Sequence, residues 1–379
     1  MSRIAFTKPY QTGLESEYFR EALASGVWQG DGGFTARATS WLETYTGAPH
    51  ALLTTSCTHA LELAAMLLRL GPGDEVIVPS FTFTSTATAV AIRGAVPVFV
   101  DIDPVTLNVD PALVEAAITA NTRAIFVVHY GGIAADMPAL LSIARRHGLE
   151  VVEDNAHALG ASLDGKHLGT FGALATQSWH ATKNIACGEG GALLINDSSL
   201  LERAEVIREK GTNRAHFLRG AIDKYTWVDQ GSSYLPSDLL AAVLMAQLER
   251  FEEIQSLRHR VWNRYSSDLQ DWAIQHGVGT MSVRPGVSHP AHMFYLMMPS
   301  PKDQAGLITH LAKQDIVAVF HYQPLDSAPA GLELGYTPEP CGVTADAAAR
   351  LVRLPLHGGL TDGDLDRVLS AVTSYAPLS

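Results

Sequence analysis

Two short stretches place reactive groups at the ends of apolar runs. Glu153-Asp-Asn-Ala-His157 follows the run 149–153, and Gln177-Ser-Trp-His-Ala-Thr-Lys183 closes the run 173–179. The first delivers a carboxylate, Asp154, and an imidazole, His157. The second delivers the hydroxyl of Ser178 and the amine of Lys183. Apolar runs of this length read as buried strands. Ligands on helix-flanked parallel sheets gather where such strands end.

A carboxylate and an amine in that setting fit opposite ends of one aromatic cofactor, pyridoxal 5'-phosphate. Transamination needs an amine that forms a Schiff base with the cofactor aldehyde, is displaced by substrate, and then moves a proton between two carbons. It also needs a carboxylate that keeps the pyridine nitrogen protonated. The phosphate wants hydroxyls and the free amides of a helix N-terminus, and an apolar ring should cover one cofactor face. Lys183, Asp154, Ser178 with the Ser56-Cys-Thr58 turn, and Phe83 answer these needs. Each has an ordinary alternative: an exposed lysine, a helix cap, a capping turn, a packed aromatic. The four falling together after strand-like runs is what argues for chemistry. His157 and His180 read equally as hydrogen-bonded core histidines, with His157 placed for the cofactor ring hydroxyl if it is functional.

The elements that would position these groups read as α/β. Residues 51–70 read as a strand end, a turn of small hydroxyl residues and a mostly buried helix; strands are expected at 75–78, 96–100, 124–128, 149–153, 173–179 and 192–195, with helices at 81–93, 111–120, 137–147 and 201–210. Apolar strands bounded by helices imply a mainly parallel sheet covered on both faces. Residues 1–35 are rich in glycine and aromatics, and their loosest part, 26–33, reads as a surface loop, with a loop lining a ligand mouth as the alternative. Asp164-Gly165 marks a turn. Ser237 caps a helix whose apolar face runs Leu240, Val243, Leu244, Leu248, Phe251 and Ile254. Beyond about residue 250 the rhythm changes to a smaller α+β unit. It has strands at 292–297 and 316–322, a helix at 303–313 and two closing helices. The expected division is 1–250, a large cofactor-binding domain with an N-terminal arm, and 251–379, a small C-terminal domain.

With 379 residues, 47% of them hydrophobic and 17% charged, the chain suits one large domain and a smaller one. A net charge of −12 speaks against broad nucleic-acid binding, which clustered Lys and Arg would drive. Three cysteines without a CxxC pair fit neither a disulfide framework nor a zinc ribbon, and no metal is expected. No signal-peptide layout and no run of roughly 20 apolar residues is present, so a cytoplasmic protein off the membrane is expected.

Several motifs carry a resemblance. Glu153-Asp-Asn-Ala-His157, Ser178-Trp-His-Ala-Thr-Lys183 followed by Gly188-Glu-Gly-Gly191, and Val78-Pro-Ser-Phe-Thr-Phe83 resemble the fold-type-I nucleotide-sugar aminotransferases of the DegT/DnrJ/EryC1/StrS family, over nearly the whole chain. Ser56-Cys-Thr58, Arg208-Glu-Lys-Gly-Thr-Asn-Arg214, Asp223-Lys-Tyr-Thr-Trp227, Gly231-Ser-Ser-Tyr234 and Ala291-His-Met-Phe-Tyr295 are similar to the branch that makes dTDP-4-amino-4,6-dideoxygalactose from dTDP-4-keto-6-deoxyglucose with glutamate as donor. The resemblance implies Lys183 as the Schiff-base lysine, Asp154 on the pyridine nitrogen, Phe83 stacked on the ring and His157 near its hydroxyl. It puts Ser178 and residues Ser56, Cys57 and Thr58 on the phosphate. It also implies a homodimer in which Ser232 or Ser233 reaches the partner's cofactor phosphate. Arg214, Arg219, His321 and Tyr322 are chosen from chemistry and placement as substrate contacts. Asn155 and Trp179 depart from the family pattern and are expected to reshape the pocket. Three rivals stand beside this reading. Related sugar dehydratases carry His at the lysine position, another ketosugar is open, and a cofactor-free binding protein would not need Lys183, Asp154 and Ser178 together.

Overall fold

The apolar runs of the first two hundred residues become strands because each is buried on both sides. In chain order they are β1 (His50–Thr54), β2 (Glu75–Pro79), β3 (Val96–Val100), β4 (Thr122–Val128) and β5 (Glu150–Asp154), then the short pair β6 (Ser162–Leu163) and β7 (Lys166–His167), then β8 (Leu174–Ser178) and β9 (Gly191–Ile195). These assignments come from a computed structural model that describes residues 3–377. The seven longer strands form one sheet in the order β1-β9-β8-β5-β4-β2-β3. From β8 to β3 all neighbours are parallel. β9 runs against both β8 and β1.

Alternate residues of each strand feed opposite cores, as the period of two requires. Val76, Val78, Phe126 and Val152 pack under the helix Cys57–Leu67. Ile77, Ile125, Val127 and Val151 pack under Met137–His147. The latter helix has the expected bounds, with the Asp136 side chain accepting from Ala139 N–H at its start and left-handed Gly148 at its end. Asp164-Gly165 joins β6 to β7 with both residues at positive φ, 50° and 78°, as a two-residue hairpin turn of this hand demands.

A second core gathers Tyr265, Phe294, Leu296, Leu307, Val352 and Leu365 around a three-stranded antiparallel sheet, and Ile4 joins it from the other end of the chain. Its strands are β10 (Gly279–Thr280), β12 (Tyr295–Met297) and β13 (Leu351–Arg353), while β11 (Val287–Ser288) pairs with β6 instead. Among the described residues no helix is long and apolar enough to cross a membrane.

The expected loop around 26–33 joins two helices, Glu15–Ser25 and Gly33–Thr46. Two expectations change. The helix capped by Ser237 stops at Leu248, and a new one, Phe251–Asp268, starts after Arg250 leaves helical geometry. Leu248, Phe251 and Ile254 stay in one core across that corner, so the apolar spacing hid it. Residues 316–322 keep alternating burial but form no ladder. Ile316 makes a single bridge to Ile4 and Val319 a single bridge to Arg353.

Candidate active site

The site begins where neighbouring strands β5 and β8 end. Asp154 is 6% exposed. Its Oδ2 accepts from Thr86 Oγ1 at 2.8 Å and its Oδ1 from Ala156 N–H at 3.2 Å. Thr86 is itself 3.0 Å from the Thr82 hydroxyl. The carboxylate is thus fixed in direction while retaining acceptor capacity, since each oxygen can take more than one donor. Across the strand end, Ser178 pairs with Gly191 of β9. The following turn is tightened by Lys183 N–H donating to His180 O at 2.8 Å. Asn184 pins the turn to the C-terminal part of the chain. Its amide donates to Pro290 O at 2.7 Å, and its oxygen lies 2.9 Å from His292 Nδ1.

Lys183 projects into a cavity of about 820 Å³ that Asp154 also lines. Among the described residues its ammonium has no hydrogen bond or ion pair. Burial lowers its pKa, against the opposing pull of Cys57 and Asp154. A desolvated amine of this kind has an enlarged uncharged fraction, which is the form that attacks a carbonyl or accepts a proton.

The helix Cys57–Leu67 points its N-terminus at the same cavity. Ser56 caps it, its Oγ accepting from His59 N–H at 3.1 Å. The Thr58 hydroxyl lies 2.7 Å from that of Ser85. Strand β9 closes on this turn so tightly that a Cβ at Gly191 would stand 2.4 Å from Cys57 N. The Cys57 thiol leans toward Thr176 Oγ1 at 3.4 Å, and burial raises its pKa well above the ordinary thiol value, which keeps it protonated. Hydroxyls and unpaired helix amides in one place form an anion cradle.

The C-terminal part of the chain supplies another wall: His292, Phe320, His321, Tyr322 and Arg353. Gly131 N–H donates to His157 Nδ1 at 3.3 Å, so the ring hydrogen sits on Nε2 and is donated to the Tyr322 hydroxyl at 3.1 Å. The tyrosine hydrogen is left for the cavity. His157 also stacks on His292 with centroids 4.3 Å apart. Burial holds the pKa values of His157, His292 and His321 well below the ordinary histidine value, so all three are neutral at neutral pH. Phe83, just ahead of the helix Thr84–Ala91, leaves its ring 56% exposed within this pocket.

Lys183, Asp154, Ser56, Cys57, Thr58, Phe83, His157, Ser178, His321 and Tyr322 therefore share one cavity, with His180 at its edge 3.6 Å from Glu189. The remaining candidates do not reach it within one chain. Arg219 is held by both oxygens of Glu205 at 2.7 Å, and Arg214 stands 3.9 Å from Glu209. Ser232 and Ser233 lie on an exposed loop. Asn155 and Trp179 are buried away from the cavity, Asn155 donating to Leu168 O and Trp179 packing in the core with Leu53. They do not shape the pocket, because successive strand residues face opposite sides. Arg353 was not anticipated. Its only sequence signal is a charge inside the apolar run Leu351-Val-Arg-Leu-Pro-Leu356.

A model of the DegT/DnrJ/EryC1/StrS aminotransferase family matches residues 9–373. The chain belongs to that family. It is 34% identical to the spore coat polysaccharide biosynthesis protein SpsC of Bacillus subtilis, over 94% of this chain and 93% of that one. Identity is also 34% to GDP-perosamine synthase of Caulobacter vibrioides, over 98% of each chain. The PLP form of the putative sugar aminotransferase Spr1654 from Streptococcus pneumoniae superposes with a TM-score of 0.90 at 27% identity, covering 98% of both chains.

This aminotransferase has the α/β fold of the family's PLP-dependent members, and the cofactor of that fold is pyridoxal phosphate. The cavity fits it on three observations. The ammonium of Lys183 is without a partner among the described residues. The Ser56 turn offers amides and hydroxyls under a close-packed Gly191. An exposed aromatic side chain, Phe83, lines the same cavity as Asp154 and Lys183.

Proposed function

We propose that this aminotransferase moves the amino group of L-glutamate to a nucleotide-linked ketosugar, with dTDP-4-keto-6-deoxyglucose as acceptor and dTDP-4-amino-4,6-dideoxygalactose as product. The observation that carries the reading is the desolvated, unpartnered amine of Lys183 in one cavity with the fixed carboxylate of Asp154. Bound pyridoxal phosphate supplies the electron sink that makes a carbon beside the transferred nitrogen acidic. Lys183 holds the cofactor, and once released it takes a proton from one carbon and returns it to the other. Asp154 keeps the pyridine nitrogen protonated, since an adjacent carboxylate favours the charged form. Ser56, Thr58, Ser178 and the amide of Cys57 hold the phosphate. Phe83 covers the ring, and His157 serves its hydroxyl side together with Tyr322. A lysine at position 183 supports amino transfer over dehydration.

The reading includes a homodimer in which Ser232 and Ser233 reach the partner's cofactor phosphate. Their exposure supports it, as do the apolar side chains beside them, Trp227 being 77% exposed. Residues 1–250 then form the cofactor-binding unit and 251–379 the unit that closes the cavity. Three free cysteines support a cytoplasmic setting. The GDP-perosamine synthase likeness favours a second acceptor, a GDP-linked ketosugar.

Incubation with glutamate and either dTDP-4-keto-6-deoxyglucose or GDP-4-keto-6-deoxymannose, followed by mass spectrometry, tests the assignment. An amino sugar from the first substrate supports it. Product from the GDP sugar alone transfers the assignment to that acceptor. A wild-type protein that takes up no PLP overturns the whole reading.

A further inference from the structure

Most polar side chains lining the cavity are engaged with a neighbour. Thr58 meets Ser85, Thr82 meets Thr86 and through it Asp154, His321 meets Tyr130 and His292 meets Asn184. His180 and Glu189, which the chemistry above does not use, are an exception. They stand on the same loop as Lys183, brought together where Trp179 N–H donates to Gly190 O at 2.8 Å and Ala181 N–H to Gly188 O at 3.0 Å. Thr182 N–H donates to His180 Nδ1 at 3.3 Å, with the Thr182 hydroxyl 2.8 Å from the same nitrogen, so the ring hydrogen sits on Nε2. That nitrogen is 3.6 Å from Glu189 Oε1, too far for a hydrogen bond. Among the described residues the Glu189 carboxylate has no hydrogen-bond donor.

A donor and an acceptor side by side and unjoined match a group that is both. A hydroxyl oxygen can stand about 2.8 Å from each, accepting from Nε2–H and donating to the carboxylate. Charge narrows the choice of ligand. A carboxylate at the cavity edge repels a diphosphate and the carboxylates of glutamate, so the part of a substrate held here is uncharged. In a nucleotide-linked ketosugar that part is the sugar ring. The loop also points to one hydroxyl. Lys183 N–H donates to His180 O at 2.8 Å, so the pair and the amine share one tight turn. A carbonyl that meets the amine brings the hydroxyl of its neighbouring carbon nearest to the pair. In a 4-keto-6-deoxyhexose that is the 3-hydroxyl.

We infer that His180 and Glu189 bind the hydroxyl on the carbon beside the acceptor's carbonyl, so that the site selects hydroxylated ketosugars over their deoxy analogues. The inference rests on the ketosugar reading. The test loads the enzyme with the amino group of glutamate, then mixes it with the 4-keto-6-deoxy nucleotide sugar or its 3-deoxy analogue and follows return of the visible cofactor band. Calorimetric binding of the matching amino-sugar products gives a second readout. Glu189→Ala should slow the hydroxylated acceptor, and weaken binding of its product, on the order of 30-fold. His180→Phe should cost roughly 10-fold, and Glu189→Gln, which keeps an acceptor oxygen, should restore part of the loss. The 3-deoxy analogue should react slowly and equally with wild type and variants, since the group that is bound is missing. Rates that are unchanged, or equally reduced with both sugars, overturn the inference, the latter in favour of a loosened loop. Loss confined to the glutamate step overturns it as well and assigns Glu189 to the donor's ammonium. A wild-type protein that aminates neither sugar refutes the ketosugar reading and this inference with it, whereas the other outcomes leave that reading standing.

Discussion

Glu153 and Asp154 are adjacent on β5, both carboxylates and both buried, yet they face opposite environments. Glu153 is 0% exposed and has four donors: Gly169 N–H at 2.8 Å, Phe171 N–H at 2.7 Å, Gly172 N–H at 2.8 Å and His129 Nε2 at 2.9 Å. Ala135 N–H donates to the other histidine nitrogen, which fixes the hydrogen on Nε2. Asp154 has two donors and an open side toward the cavity. A saturated carboxylate has no capacity left for a ligand and serves to fasten the 169–172 turn to the sheet. An under-coordinated one is held in readiness at a cost in stability. Burial alone does not separate structure from function here, whereas the donor count does.

The comparison can be broken most directly on its open side. Lys183→Ala should lower turnover by about 10³-fold or more and abolish the borohydride-sensitive visible band; retained turnover would remove the lysine from the chemistry. Next comes a crossover. Asp154→Asn should reduce turnover roughly 100-fold with little change in the urea midpoint, because Ala156 N–H can keep the amide oxygen while the Thr86 hydroxyl turns to accept from the new N–H₂. Glu153→Gln should do the reverse, losing about 3 kcal/mol of unfolding free energy as an amide N–H₂ meets donors, while correctly folded protein keeps its turnover within a few-fold. If both variants lose only activity, the division between them fails. Gly191→Ala should weaken PLP binding about 10-fold in an absorbance titration, since the new Cβ must push back the Ser56–Cys57 backbone. An unaltered affinity would detach that turn from the phosphate.

The remaining effect is on stability in acid. His157, His292 and His321 are kept neutral in the fold, while the unfolded chain protonates near the ordinary value of 6.5. Below that pH the unfolded state binds more protons, so stability is flat above about pH 6.5 and falls as pH drops beneath it. Each such histidine contributes up to about 1.4 kcal/mol per pH unit. Denaturation from pH 7 to 5 should show the decline, shallower in His292→Asn. Equal slopes in both proteins would mean that His292 titrates as it does in the unfolded chain.

What the sequence made legible were features decided within a few residues. The Asp136-capped helix, the Asp164-Gly165 turn and the Ser56 cap follow from local hydrogen bonding and backbone preference. The grouping of Lys183, Asp154 and the 56–58 turn followed from a rule about strand ends. Features decided by distant partners were not legible. Residues 316–322 look like a strand until it is seen that their neighbours, Ile4 and Arg353, offer one bridge each. Arg353 was not singled out because nothing local tells that the Phe6 ring lies beside it. The break before Phe251 was invisible because burial continues through it.

The crossing of the N-terminal arm has a kinetic meaning. Ile4 N–H donates to Asp315 O, Val317 N–H to Ile4 O and Leu356 N–H to Phe6 O, so the arm is clamped by residues made some three hundred positions later. On the ribosome the sheet from β1 to β9 can assemble while the arm still waits for its partners. Contacts of such long sequence separation are slow to form. Phe6 and Thr7, which line the cavity, take their places only then. The order of synthesis thus delays completion of the pocket until its C-terminal wall exists, and a polypeptide interrupted before Leu356 carries Lys183 and Asp154 without the enclosure that desolvates them.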